Sequence, residues 1–218
     1  MGAVWDAFQA NDGWGQTWTH IKLSVTALAM ATAVGLVLGV LCAKVGRVAA
    51  FLVVTVSNLG RTVPTFAIIA LILALTSLGF WPAVLGLFLL GIPPILLNSY
   101  TGVREVDPGI VEASRGMGFR PLQVLGRVEL PIAMPLVFAG IRTSAVQIVA
   151  TAALAGLVGA GGLGVIVSSG LSNNQDDVIL AGAIPITILA ALAELVFGGA
   201  ERLATPRGLR ITRRPVIE

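Results

Sequence analysis

Apolar runs of membrane length alternate along this chain with short polar segments. Residues 1–19 are polar, and residues 21–42 then supply about twenty apolar positions, enough for a helix to cross a bilayer core. A second block, 48–78, is too long for one simple span. Pro64 is expected to kink or break it, because proline lacks an N–H and clashes with the preceding turn. Further spans are expected at 83–100, interrupted by Pro93-Pro94, at 133–158, and at 178–197 with a bend at Pro185. A short uncharged turn occupies 76–82, a polar loop with acidic residues only occupies 168–177, and a basic tail runs over 201–218. No internal repeat or second domain is visible. The whole of 1–218 reads as one all-α membrane domain of about five transmembrane helices.

One polar stretch, 104–131, interrupts this pattern at greater length than the others. Asp107 before Pro108 reads as an N-cap with proline at the first helical position. Ile110, Ser114 and Met117 then fall on one face of a short helix, flanked by Val111. Gly118 can supply a left-handed stop. Arg120-Pro121 predicts a turn, and a second short helix over 122–128 is expected to end before Pro131.

Composition agrees with the membrane reading: 56% of residues are hydrophobic and 11% charged, where a soluble domain is about 25% charged. Basic residues follow no stripe with interleaved aromatics, so nucleic acid is not an expected partner. One Cys and one His put the usual His/Cys metal clusters out of reach, and Cys42 in an apolar run reads as packing. The start of the chain lacks the basic region of a signal peptide. Trp14 and Trp18 suit the headgroup zone. Gly35 and Gly39 form a GxxxG that reads as helix packing within the chain. Placing the start outside puts all but Lys22 and Arg61 of the 14 basic residues on the inner side. Asp6, Asp12, Asp176 and Asp177 then lie outside, so the positive-inside rule predicts an outer N-terminus, an inner C-terminus and a cytoplasmic 104–131 loop.

Glu112-Ala113-Ser114, then Gly118, then Val128-Glu129-Leu130-Pro131 resembles the EAA loop of binding-protein-dependent ABC importer permeases. Ser114 stands where a second alanine is usual, and Val128 where isoleucine is. The resemblance implies a type I ABC importer permease fold in the bacterial cytoplasmic (inner) membrane, with lipid around it. It implies that a coupling helix in this loop docks on a cytoplasmic ABC ATPase dimer, through Ile110, Glu112, Ala113, Ser114, Arg115, Met117, Gly118, Leu130 and Pro131. It also implies a second permease subunit, identical or related, and an extracytoplasmic substrate-binding protein. ATP and Mg would sit on the ATPase and no cofactor on this chain, which carries no GxxxxGK[ST] phosphate loop and no catalytic constellation.

The similarity extends over about 58–210. Arg61-Thr-Val-Pro64, Gly140-Ile-Arg-Thr143, Leu180-Ala-Gly-Ala-Ile-Pro185 and Thr205-Pro-Arg-Gly-Leu-Arg210 look like the osmoprotectant branch, importers of glycine betaine, choline, carnitine or proline betaine. Arg61 is costly at bilayer depth, so it either lines the translocation path or anchors a helix break. Thr62, Pro64, Asn98 and Tyr100 are the other path candidates. The run Gly159-Ala-Gly161-Gly162-Leu-Gly164 follows a membrane segment rather than a strand, which disfavours a phosphate cradle and favours a tight bend at an outer gate. A methionine-type permease would share the loop. A secondary transporter often shows inverted repeats, which are not seen here.

Overall fold

The computed structural model describes residues 2–62, 67–68, 71–72 and 79–204. Among these, every regular element is helical. They are α1 (Gly2–Ala10), α2 (Gly13–Val45), α3 (Arg47–Thr62), α4 (Phe80–Arg104), α5 (Pro108–Gly116), α6 (Pro121–Val124), α7 (Leu130–Thr151), α8 (Gly164–Asn173) and α9 (Asp176–Ala204). A π turn, Leu125–Glu129, joins α6 to α7, and a 3-10 segment, Ala152–Val158, continues α7. Four stretches of the described residues are long and apolar enough to cross a membrane: α2, α4, the run Pro121–Val158, and α9. The expected block 48–78 begins as α3; most of the remainder, Pro64 included, lies outside the described residues.

Helix α4 is the centre. Over half of its most apolar stretch, 56%, is buried, against 17% for α9 at the edge. α2 and α7 pack on its two sides, α3 adds to it, and α9 packs on α7. Small residues bring these backbones together. A Cβ at Gly39 would lie 2.7 Å from the Leu96 carbonyl oxygen, and one at Gly140 would lie 2.9 Å from that of Pro94. Gly35 and Gly39 therefore serve packing inside the chain, as their spacing predicts. Leu23, Ala27, Leu87 and Ile148 fill one cluster between α2, α4 and α7, while Ala43, Val103, Ala133 and Val137 fill another at the opposite end.

Several expectations need correction. The 1–19 segment is not merely polar: α1 buries Phe8 against Leu163, Ile166, Val178 and Ala181, and α2 starts at Gly13, well before residue 21. Trp5 stacks on Phe8, and both meet Trp14 edge to face, which ties the two helices together. Pro93-Pro94 does not interrupt α4. Membrane helices tolerate interior proline where other helices pack around it, and hydroxyls from two neighbouring helices reach carbonyls in this stretch. Ser144 donates to the Gly91 carbonyl at 2.7 Å, and Ser57 donates to that of Pro93 at 3.4 Å. The helix expected over 122–128 does not stop before Pro131; it widens through the π turn and runs on as α7, with Pro131 directly after that turn. Much of the expected loop 168–177 is helical, since α8 continues to Asn173. Its hydroxyl and amide side chains turn back onto the helix: Ser172 donates to the Ser168 carbonyl and Asn173 to that of Ser169.

Candidate functional site

The polar stretch folds as its sequence dictates. The Asp107 carboxylate accepts from the Gly109 N–H at 2.6 Å, and Pro108 opens α5. At the other end Gly118 has φ +87°, its N–H donates to the Arg115 carbonyl at 2.9 Å, and the Phe119 N–H reaches that of Ser114 at 3.2 Å. These two bonds make a Schellman stop, which requires a residue comfortable at positive φ. Both ends are thus closed by side chain and backbone, and nine residues hold a helix that length alone would not.

Its faces divide the expected docking residues. Ile110 and Met117 are exposed at 45% and 70%, and Glu112, Ala113, Arg115 and Gly118 are exposed around them. Ser114 is buried, and its hydroxyl donates to the Ile110 carbonyl at 2.7 Å. It is the small residue that lets α5 lie on α6 and the π turn, so it belongs to the underside of the helix. Leu130 packs on the cluster around Ala43 and Val103, and Pro131 is half-buried beside it, so both support the loop from beneath. Leu122 of α6, which the sequence reading did not single out as a docking residue, is 81% exposed and adds a further exposed apolar side chain to this loop.

An ion pair with a buried carboxylate was also missed. Glu129, in the π turn, is 4% exposed and pairs with Lys44 in the last turn of α2. The partners are far apart in sequence, and nothing local announces the contact. Arg142 on α7 similarly pairs with Glu194 and, at 3.1 Å, with Glu201, both on α9. Glu194 thus has its cation within the bundle.

Of the path candidates, Asn98 and Tyr100 have described side chains. Asn98 donates to the Pro94 carbonyl at 2.8 Å, and Tyr100 packs among Val103, Ala133 and Val137. Arg61 and Thr62 end α3, and Pro64 lies outside the described residues. The glycine run does bend. Gly159, Gly161 and Gly162 have φ of +71°, +82° and +87°, and a Cβ at Gly164 would overlap the Ala153 carbonyl oxygen at 1.7 Å. Gly162 donates its N–H to Gln16 Oε1 at 2.8 Å. Against the same bend lies His20, fully buried, with Nε2–H donating to the Val149 carbonyl at 2.9 Å. Among the described residues no group of three or more His, Cys, Asp or Glu is placed to hold a metal ion.

The family described as binding-protein-dependent transport system inner membrane component matches residues 35–208, a stretch that holds α5, the π turn and the glycine bend. The chain belongs to this family. It is 42% identical to the carnitine transport permease protein OpuCB of Listeria monocytogenes, over 91% of this chain and 90% of that one. To the choline transport system permease protein OpuBB of Bacillus subtilis it is 37% identical over 89% of each. Among solved structures, an inward-facing form of the MetNI methionine ABC transporter superposes with a TM-score of 0.75 at 24% identity, covering 88% of this chain and 95% of that one. That likeness shows the fold. The permease is thus a membrane component of a binding-protein-dependent transport system, and its helical bundle is that of an ABC importer.

Proposed function

We propose that this permease subunit carries a compatible solute with a quaternary ammonium group (glycine betaine, choline, carnitine or a close analogue) inward, driven by ATP hydrolysed on a partner. The observation that carries the mechanism is α5. It is capped at both ends, and Ile110 on it, Met117 at its C-cap and Leu122 on the following α6 are exposed, apolar side chains of the kind that mark a protein contact. The solute reading rests on the sequence relatives, among which is also the osmoprotectant import permease protein OsmW of Salmonella typhimurium, 35% identical over 89% of this chain. A methionine transporter is matched in fold at lower identity, which carries no argument about substrate.

In this reading the N-terminus is outside, the C-terminus inside, and α5 cytoplasmic, seated on an ABC ATPase dimer. A second permease subunit completes the pathway, and a substrate-binding protein delivers the solute to the outer face, near the glycine bend. ATP-driven closure of the ATPases moves α5, and the spans switch access because α5 makes different contacts in the two states.

The test is co-purification from membranes followed by reconstitution. An ATPase recovered in equal number with permease chains, and uptake of labelled glycine betaine or choline, are the expected results. A chain that transports without an ATPase overturns the proposal. Gly118→Asp should leave insertion intact but separate uptake from ATP hydrolysis, because a side chain then strains the stop at φ +87°. Wild-type uptake by that variant at equal expression counts against α5.

A further inference from the structure

We infer that Glu129 and Lys44 are positioning residues for coupling: they lock the platform beneath α5 to the end of α2, and Arg115 of α5 is the alternative partner of the same carboxylate. The inference rests on the reading of α5 as the ATPase-docking helix.

The π turn gives the first reason. Its extra residue per turn shifts the register at Leu125–Glu129, and Glu129 comes to face inward at 4% exposure. A carboxylate so placed is costly without a cation. Lys44 supplies one from α2, whose Ala43 already packs in the cluster that takes in Leu125 and Leu130, and its position in the last turn of α2 also suits the helix dipole there. α5 rests on α6 and the π turn, so the carboxylate lies in the segment that must move if α5 moves.

The second reason is the space around the pair. One cleft of about 300 Å³ lies between α5 and the ends of α2 and α4, and another of about 240 Å³ lies on the α6 side. Lys44, Glu129 and Arg115 line both. Among the described residues Arg115 makes no ion pair, and its guanidinium is exposed. Lys44 is 42% exposed at its side chain, so it can leave Glu129 for water at little cost, whereas Glu129 cannot leave for anything but another cation. A shift of α5 toward α2 would bring Arg115 to the carboxylate and release Lys44. That exchange gives coupling what it requires, two discrete arrangements of one network biased by a distant event.

The experiment uses the whole transporter reconstituted in liposomes, measuring solute taken up per ATP hydrolysed and the amount of ATPase retained. Glu129→Gln should lower uptake per ATP by roughly two- to thirtyfold while the ATPase stays bound. Lys44→Glu alone should do the same, and Lys44→Glu combined with Glu129→Lys should restore the ratio to near that of the unaltered protein. Arg115→Gln should lower the ratio with Lys44–Glu129 intact. Normal coupling in Glu129→Gln overturns the inference, as does a double exchange no better than either single change. A control separates the two readings. Ile110→Asp with Met117→Asp should shed the ATPase. If it does and Glu129→Gln still couples normally, only the pair fails; if the ATPase remains, the assignment of α5 fails.

Discussion

The α2–α4 seam and the α5 platform hold together by opposite means. In the seam, backbones touch because side chains are absent: Gly39 sits on the Leu96 carbonyl and Gly91 against Ala31 and Ile148. In α5 itself Ser114 is the one buried residue, and the shape depends on the Asp107 cap, the Gly118 stop and one ion pair beneath. Close packing tolerates no partial displacement, since a gap of even 1 Å forfeits much of the dispersion attraction. Caps and charge pairs travel with their helix or change partners. The difference separates a part built to stay whole from a part able to shift as a unit.

Breaking the seam should have the largest effect. Gly39→Leu must push α2 off α4, and a loss of about 1–3 kcal/mol is expected, read as a lower unfolding temperature in detergent. Asp107→Ala removes the cap and should cost about 1 kcal/mol confined to α5. Faster amide exchange in 108–116, with unchanged exchange in α4, is the expected record. Ser144→Ala removes the bond to the Gly91 carbonyl, and about 0.6 kcal/mol is the usual worth of such a bond in a membrane. The smallest stability change is expected from Met117→Ala, within about 0.5 kcal/mol for an exposed side chain, although ATPase binding should weaken. If Asp107→Ala loosened the seam as much as α5, the two regions would be one cooperative unit and the contrast would fail.

What could be read in advance follows the same division. The ends of α5 were legible because Asp107, Pro108 and Gly118 act on backbone groups two to five residues away. The Gly35–Gly39 contact was legible as a type, since small residues four apart share a helix face. Ser114 was misplaced: periodicity finds a face but does not say whether the chain or a partner covers it. Glu129 was quoted as part of a motif, yet its partner, Lys44, lies on another helix and only the folded bundle joins them. The proline pair in α4 misled for a related reason, because a membrane helix tolerates interior proline where other helices pack around it, and α2, α3 and α7 meet α4 only in the folded bundle. α1 carries little charge and few residues, and its apolar side acquires meaning only against α8 and α9.

Helix α2 reaches from one of these worlds to the other. Near its start Gln16 receives the N–H of Gly162 in the glycine bend, and in its last turn Lys44 holds the π turn. At 1.5 Å per residue those contacts stand about 40 Å apart on one unbroken rod. A rod has few freedoms: it can tilt, slide or rotate only as a whole. A slide of α2 along its axis, or a turn about it, begun at the platform arrives at the bend undiminished, whereas a tilt that pivots on the Gln16 contact leaves the bend at rest.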